Sequence, residues 1–165
     1  INRHTNPRGG KVQAGLYTVE AHTMGGKITG ASPDGRHRGL SLASGCSPAQ
    51  GAEVCGPTAA IRSITKLDHG QLGNGIVFDL KFEPTFFAEM RQRGIFRPLV
   101  ETYMNLGGQE MQFNVVGRET LLAARRAPEQ HKHLLVRVSG FSAYFVDLDP
   151  LTQEEIIART TYAEM

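Results

Sequence analysis

The chain has 165 residues and a net charge of +2 at pH 7; 40% of its residues are hydrophobic and 21% are charged. This composition is typical of one folded domain with an apolar core, and it excludes an intrinsically disordered chain. Basic residues are scattered rather than grouped with aromatic ones, and no apolar segment is long enough to cross a membrane. We therefore expect no nucleic-acid partner and no membrane partner.

The first half of the chain predicts three elements around a long irregular passage. We expect a strand at 13–23, an irregular passage at 40–56, a helix at 56–67 and a strand at 75–82. Pro57 at an early position favours the helix start, and apolar residues recur along 75–82 with nearly strict alternation. A long irregular passage inside a compact domain is usually functional or packs on another surface.

The second half of the chain predicts helices joined to strands. We expect helices at 85–93, 96–106 and 118–126, a strand at 110–116, and paired strands at 134–138 and 142–146. The residues from Thr152 to Glu155 have the spacing of a capping box, which predicts the start of a last helix. The order of elements indicates a mixed α/β fold with too few strands to close a barrel.

Most motifs of known catalytic chemistry are missing. The sequence has no phosphate-binding loop, no nucleophile elbow and no HExxH pair, so we expect no bound nucleotide cofactor and no metal. Cys46, which follows a glycine, is either an exposed nucleophile or a buried thiol in a packed loop, and we favour the buried thiol. Cys46 and Cys55 form no CxxC pair, so we expect two reduced thiols in a cytoplasmic protein.

Gly140 interrupts the most strand-prone segment of the chain, VRVSGFSAYF at 136–145. One interpretation is a turn or bulge that joins two strands. The other is that the Cα hydrogen of Gly140 carries chemistry. A glycine Cα radical is stabilised by the electron-donating amide nitrogen and the electron-withdrawing carbonyl, and without a Cβ it can become planar. Such a radical persists only away from oxygen and solvent, so we expect the flanking apolar residues to bury Gly140.

The segment RVSGFSAYF at 137–145 resembles the radical-bearing motif of the glycyl radical enzymes, the family of pyruvate formate-lyase and the anaerobic glycerol and diol dehydratases. Further segments resemble that family's C-terminal region in the same order: 6–22, 30–51, 56–69, 107–131 and 153–162. The resemblance covers nearly the whole chain. The motifs SPDGR, SPAQG and QFNVV favour the dehydratase-like branch of the family.

The resemblance implies that residues 1–165 form one unit, a glycyl radical domain with adjoining barrel strands. Its fold would be the α/β C-terminal part of a ten-stranded β/α barrel. Gly140 would store a radical installed by a separate radical S-adenosylmethionine activating enzyme. That radical would oxidise a cysteine, whose thiyl radical would attack a small organic substrate in a lyase reaction, by elimination, decarboxylation or bond cleavage. A homodimer of the full enzyme stays open.

One feature of the resembled family is missing from this sequence. The thiyl cysteine of that family lies in a Gly-Cys-x-Glu motif, whereas here Cys46 is followed by Ser47 and Pro48. We therefore expect the thiyl cysteine outside this chain. Two interpretations stay open: the chain is the C-terminal part of a longer lyase, or it is a stand-alone spare part that restores an oxygen-cleaved enzyme. We favour the first, because the resemblance is dehydratase-like and extends well before the radical motif.

Several other residues have more than one possible role. Tyr17 and Val19 share a face of the predicted first strand, which the resemblance places at the substrate cavity; Tyr17 is otherwise a core tyrosine with a satisfied hydroxyl. Gln112 and Asn114 alternate with apolar residues on a strand, and we expect them to brace the glycine loop, since buried amides need partners. The activating enzyme could recognise Arg137 and Ser139 when the loop turns outward; alternatively, Arg137 pairs with an internal carboxylate.

Overall fold

A computed structural model describes residues 2–164 and shows a mixed α/β fold, as predicted. The helices are α1 Ala21–Ile28, α2 Pro57–Ile64, α3 Pro84–Gln92, α4 Phe96–Asn105, α5 Arg118–Arg126 and α6 Pro150–Ala158. The strands are β1 Asp79–Phe82, β2 Gln112–Val115, β3 Leu135–Arg137, β4 Ser142–Tyr144 and β5 Thr161–Tyr162. Short 3₁₀ turns occupy His69–Gln71, Pro128–Gln130 and Phe145–Asp147.

The central element is β1, which pairs in parallel with β2 on one side and β5 on the other. Asp79 lies opposite Gln112, and Lys81 lies opposite Thr161. Helices α3 and α4 connect β1 to β2, because parallel neighbours need a crossover. Every residue of β1 is buried, which is typical of a parallel strand covered on both faces. The polar members Asp79 and Lys81 therefore need partners inside the protein.

Two apolar clusters stabilise the fold. The first joins β1 to α2, α3 and α4, with Phe78 and Phe82 fully buried in it. The second joins the antiparallel β3–β4 hairpin to α5 and α6 through Val136, Val138 and Phe145. The hairpin is thus packed by its own apolar residues against the two helices, and polar side chains connect it to the sheet.

The strand predicted at 13–23 is wrong. Leu16 forms one parallel bridge with Ile76, and the chain then enters α1 at Ala21. Two glycines lower the intrinsic helix propensity of this segment. Packing outweighs that cost: a Cβ on Gly26 would lie 2.3 Å from the carbonyl oxygen of Leu40, so only glycine lets α1 approach this backbone.

The capping box predicted at Thr152 is also wrong. Helix α6 begins at Pro150, and the carboxylate of Asp149 accepts hydrogen bonds from the backbone N–H groups of Leu151 and Thr152, at 3.0 and 3.3 Å. An aspartate N-cap followed by proline is a strong start signal. Glu155 consequently lies inside α6 with its side chain buried. The other predicted helices and strands are confirmed, with shifted ends, and 40–56 contains neither helix nor strand.

Candidate functional site

Gly140 is the second residue of a tight hairpin loop. The hairpin pairs Arg137 with Ser142, and the backbone N–H of Val138 donates to the carbonyl of Phe141 at 2.9 Å. Ser139 and Gly140 alone remain in the loop. Gly140 has φ +87°, a left-handed conformation that residues with a Cβ adopt at a cost. The interpretation of Gly140 as a turn between two strands is therefore confirmed. Chemistry at its Cα hydrogen stays a prediction.

The expectation that flanking residues bury Gly140 is wrong for this chain. Val136, Val138, Ser139 and Phe145 are buried, whereas Gly140 itself is exposed. The reason is the hairpin geometry: the apolar side chains point into the second cluster, and the turn projects the loop backbone away from it. A Cβ on Gly140 would meet Val77 Cγ2 at 3.8 Å, an ordinary contact, and otherwise open space.

Gln112 and Asn114 brace the loop, as predicted. The side-chain oxygen of Gln112 accepts hydrogen bonds from the Gly140 N–H at 3.2 Å and from Arg137 Nε at 2.9 Å. The Asn114 amide donates to the carbonyl of Arg137 and accepts from its N–H, both at 2.8 Å. Strand β2 therefore holds the hairpin with side-chain amides where a neighbouring strand would use backbone groups.

Pairing of Arg137 with an internal carboxylate, one of its two alternative roles, is not observed among the described residues. Besides Gln112, its guanidinium donates to the hydroxyl of Ser142 at 3.1 Å. Within residues 2–164, Arg137 forms no ion pair with a carboxylate, so its charge is met by neutral oxygens. Arg137 orients the start of the loop from inside the chain, and its recognition by an activating enzyme stays a prediction.

Sequence reasoning missed a buried ionic group below the hairpin. Arg159, which follows α6, donates to the carbonyl of Val138 at 2.6 Å and to that of Arg137 at 3.3 Å. It also pairs with Glu155 at 2.8 Å, and one guanidinium nitrogen lies 3.7 Å from Asp79. The side chain of Arg159 is only 8% exposed. The sequence carried one weak signal, the four-residue spacing of Glu155 and Arg159, which is more typical of a solvent-exposed helix pair.

Further contacts extend this group to α1 and to the opposite strand. His22 Nε2 lies 3.4 Å from Glu155, and His22 Nδ1 lies 2.9 Å from the Thr18 hydroxyl. Gln50 donates to Glu155 at 2.8 Å. The side-chain amide of Gln112 donates to Asp79. The polar contacts therefore run without a break from α1 through Glu155 and Arg159 to the N–H of Gly140.

The two buried carboxylates of this group have opposite pKa shifts. Burial raises the pKa of Asp79, and the charge of Arg159 and hydrogen bonds from Ser44 and Gln112 offset this only in part. Burial also opposes ionisation of Glu155, but His22 and Arg159 outweigh it and hold the pKa of Glu155 at about 2. Glu155 is therefore ionised at neutral pH and serves as the counter-ion of Arg159.

Cys46 is a partly buried thiol, as favoured from sequence. Its Sγ donates to the carbonyl of Val77 at 3.2 Å, and burial raises the pKa of Cys46 to about 12. A thiol in this state supplies no thiolate nucleophile at neutral pH. Cys55 is exposed and unpaired with Cys46.

Tyr17 and Val19 lie at the surface and not on a strand. Tyr17 is 45% exposed and its hydroxyl accepts a hydrogen bond from the Asn74 amide at 3.1 Å, so it is not a core tyrosine. Val19 is 47% exposed and has φ +54°, an unusual conformation for a β-branched residue. Such strain occurs more often at functional positions than elsewhere.

Residues 2–164 contain neither a membrane-spanning helix nor a metal-binding cluster. None of their helices is long and apolar enough to cross a membrane. The same residues contain no cluster of three or more His, Cys, Asp or Glu side chains that could ligate a metal ion.

The family model described as "Glycine radical" matches residues 42–146, more than half of the chain. Among curated relatives, a probable dehydratase of Escherichia coli is 37% identical, with 98% of this chain and 21% of the relative covered. An indoleacetate decarboxylase of Tractidigestivibacter scatoligenes is 39% identical over 88% of this chain and 16% of its own length.

A solved structure has the same fold as this chain. The glycerol-bound B12-independent glycerol dehydratase of Clostridium butyricum superposes with a TM-score of 0.94 and 44% identity, covering 99% of this chain and 21% of that one. The chain spans about a fifth of the length of the relatives that it matches. Its α/β fold is the C-terminal part of their barrel.

Proposed function

Because the chain belongs to the glycyl radical family, we propose that Gly140 stores the radical of a dehydratase-like lyase. The observation that carries this proposal is the position of Gly140: it lies inside the matched range, at the tip of a two-residue loop, with φ +87° and an exposed Cα. Its N–H is held by Gln112 at 3.2 Å, so the backbone that would carry the unpaired electron is oriented.

The remainder of a longer protein would complete the site. Exposed Gly140 needs a second surface to exclude oxygen and to bring a cysteine to its Cα. Cys46 does not fit the second task, because its thiol is committed to the carbonyl of Val77. The chain spans about a fifth of its relatives, which supports a thiyl cysteine and a covering surface elsewhere in the complete protein.

The proposed chemistry conserves hydrogen atoms. A radical S-adenosylmethionine activating enzyme would remove one Cα hydrogen atom from Gly140. The Cα radical would then take the hydrogen atom of the cysteine thiol, leaving a closed-shell glycine and a thiyl radical. The thiyl radical would take a hydrogen atom from the substrate and return it to the product radical at the end. The thiyl radical left after that transfer would take the Cα hydrogen atom back from Gly140, which restores both the thiol and the glycyl radical and makes the backbone carbon a reusable cofactor.

The substrate of this lyase would be a small organic molecule. Because the Clostridium butyricum relative was solved with glycerol bound, glycerol is the first compound to assay. We include Tyr17 and Val19 in the substrate pocket, supported by their exposure and by the strained backbone of Val19. Tyr17→Phe is expected to raise KM more than it lowers kcat, with stability changed by less than about 0.5 kcal/mol. An unchanged KM would remove Tyr17 from the pocket.

Electron paramagnetic resonance tests the radical site. The complete protein that carries this chain, activated without oxygen, should give a doublet from the one hydrogen left on Cα of Gly140. The doublet should be absent from Gly140→Ala, since that residue has a methyl group on Cα. An unchanged doublet in Gly140→Ala would assign the radical to another residue.

A mixing experiment separates the two interpretations of the chain. If it is the C-terminal part of a lyase, the complete protein turns over substrate after activation. If it is a spare part, the chain added to an oxygen-cleaved enzyme restores turnover, and the protein that carries it has no thiyl cysteine of its own. Turnover by the complete protein alone would support the first interpretation and overturn the second.

A further inference from the structure

We propose that Arg159 is a positioning residue of the radical loop, held in place by Glu155. This inference deepens the proposed function and rests on it for its role in catalysis. The geometry itself is independent of any radical, because it concerns the carbonyl groups that directly precede the Ser139–Gly140 loop.

The guanidinium of Arg159 donates hydrogen bonds both to the carboxylate of Glu155 and to backbone carbonyls of the hairpin. Nε and Nη2 donate to the carboxylate of Glu155 at 2.8–3.1 Å. Nη2 also reaches the carbonyl of Val138 at 2.6 Å, and Nη1 reaches that of Arg137 at 3.3 Å. A planar guanidinium can satisfy these acceptors together, whereas a lysine ammonium is a single point donor.

Glu155 is fixed from elements outside α6. Its side chain is completely buried, and it receives the amide of Gln50 at 2.8 Å and lies 3.4 Å from His22. His22 in turn contacts Thr18, whose hydroxyl accepts the N–H of Gly45 at 3.2 Å. A carboxylate with this many partners has no freedom to follow Arg159, so it determines where the guanidinium lies.

The loop is therefore held from both of its sides by one connected group. Arg159 holds the carbonyls before the loop, and Gln112 holds the N–H of Gly140. Asp79 links the two, because it accepts from the Gln112 amide and lies 3.7 Å from Arg159. Hydrogen bonds to a charged donor are stronger than neutral ones, so Arg159 is the larger restraint on a loop that is otherwise exposed.

The chain contains a matched control. Arg93 follows α3 as Arg159 follows α6, and it pairs with Glu89 four residues earlier at 3.0 Å. That pair is solvent-exposed, with 58% of the Arg93 side chain accessible, and its contacts do not include the hairpin. Replacement of Arg93 therefore removes the same type of pair without touching the loop.

Hydrogen exchange of the complete protein before activation tests the proposal. In Arg159→Gln, the amides of 138–141 should exchange about ten- to a hundredfold faster, the range expected when hydrogen bonds to a charged group are lost. In the same variant the N–H of buried Leu80 in β1 should accelerate less than the loop amides, because it reports only the general loss of stability that follows when Glu155 loses its counter-ion. Arg159→Lys, which keeps the charge, should give a smaller local increase, and Arg93→Gln should give none.

Two results would overturn the positioning role. One is loop exchange in Arg159→Gln and Arg159→Lys equal to that of the parent protein. The other is equal acceleration at the loop and at Leu80, which would indicate a general loss of stability; Arg159→Lys gives the same distinction if Arg159→Gln does not fold. After activation, Arg159→Gln should also change the splitting or the yield of the doublet. A doublet absent from the parent protein would refute the proposed function and leave the exchange result standing.

Discussion

Replacement of Gly140 by alanine should remove the radical at only a small cost in stability, and the structure gives the size of that cost. The added Cβ meets Val77 Cγ2 at 3.8 Å, so it displaces nothing. The cost is the left-handed backbone at φ +87°, about 1–2 kcal/mol for a residue with a Cβ. Alanine also lowers the conformational entropy of the unfolded chain, which offsets about 0.4–1 kcal/mol of this cost. We expect a net loss of roughly 1 kcal/mol in the free energy of unfolding.

Gly107→Ala is the matched control for that variant. Gly107 lies in the turn after α4 with φ +92°, and a Cβ there has no atom within 4 Å. Urea unfolding of both variants should give similar losses, while Gly107→Ala keeps the doublet. A loss above about 3 kcal/mol for Gly140→Ala alone would refute the steric reasoning, because it would reveal contacts of a size that only core substitutions lose.

Two further predictions concern oxygen and pH. Air admitted after activation should cut the backbone at Gly140 and release a C-terminal peptide visible by mass spectrometry; an intact mass would contradict a radical at this carbon, and protein that was never activated should stay whole. The pKa of Glu155 is lowered to about 2 from an ordinary 4.5. Ionised Glu155 therefore adds roughly 3 kcal/mol to the free energy of unfolding above pH 4.5, and this stabilisation is lost as the pH falls toward 2. Urea midpoints from about pH 5 to pH 3 should therefore fall less steeply in Glu155→Gln, and parallel slopes would refute the ionised state of Glu155.

Local patterns predicted the parts of the site that depend on neighbours in sequence. Gly140 stands between two short strand-prone runs, and a hairpin with a glycine in its loop follows directly from that pattern. Gln112 and Asn114 alternate with apolar residues on β2, so their need for internal partners was visible before the fold was known. The strand predicted at 13–23 is wrong because α1 begins at Ala21, although the two glycines of α1 argue locally against a helix. The reason for Gly26 lies in the distant backbone of Leu40.

The sequence determined that Gly140 forms the loop and that the hairpin's apolar residues pack inward, because turn conformation and strand alternation are local properties of the chain. Only the tertiary structure decided which charges serve that loop. Glu89–Arg93 and Glu155–Arg159 have the same spacing at the ends of two helices, yet the first pair is in solvent and the second is buried below the Ser139–Gly140 loop. The difference comes from what packs on each helix: α6 lies against α5, α1 and the hairpin cluster, which remove water from Arg159 and leave backbone carbonyls as its partners.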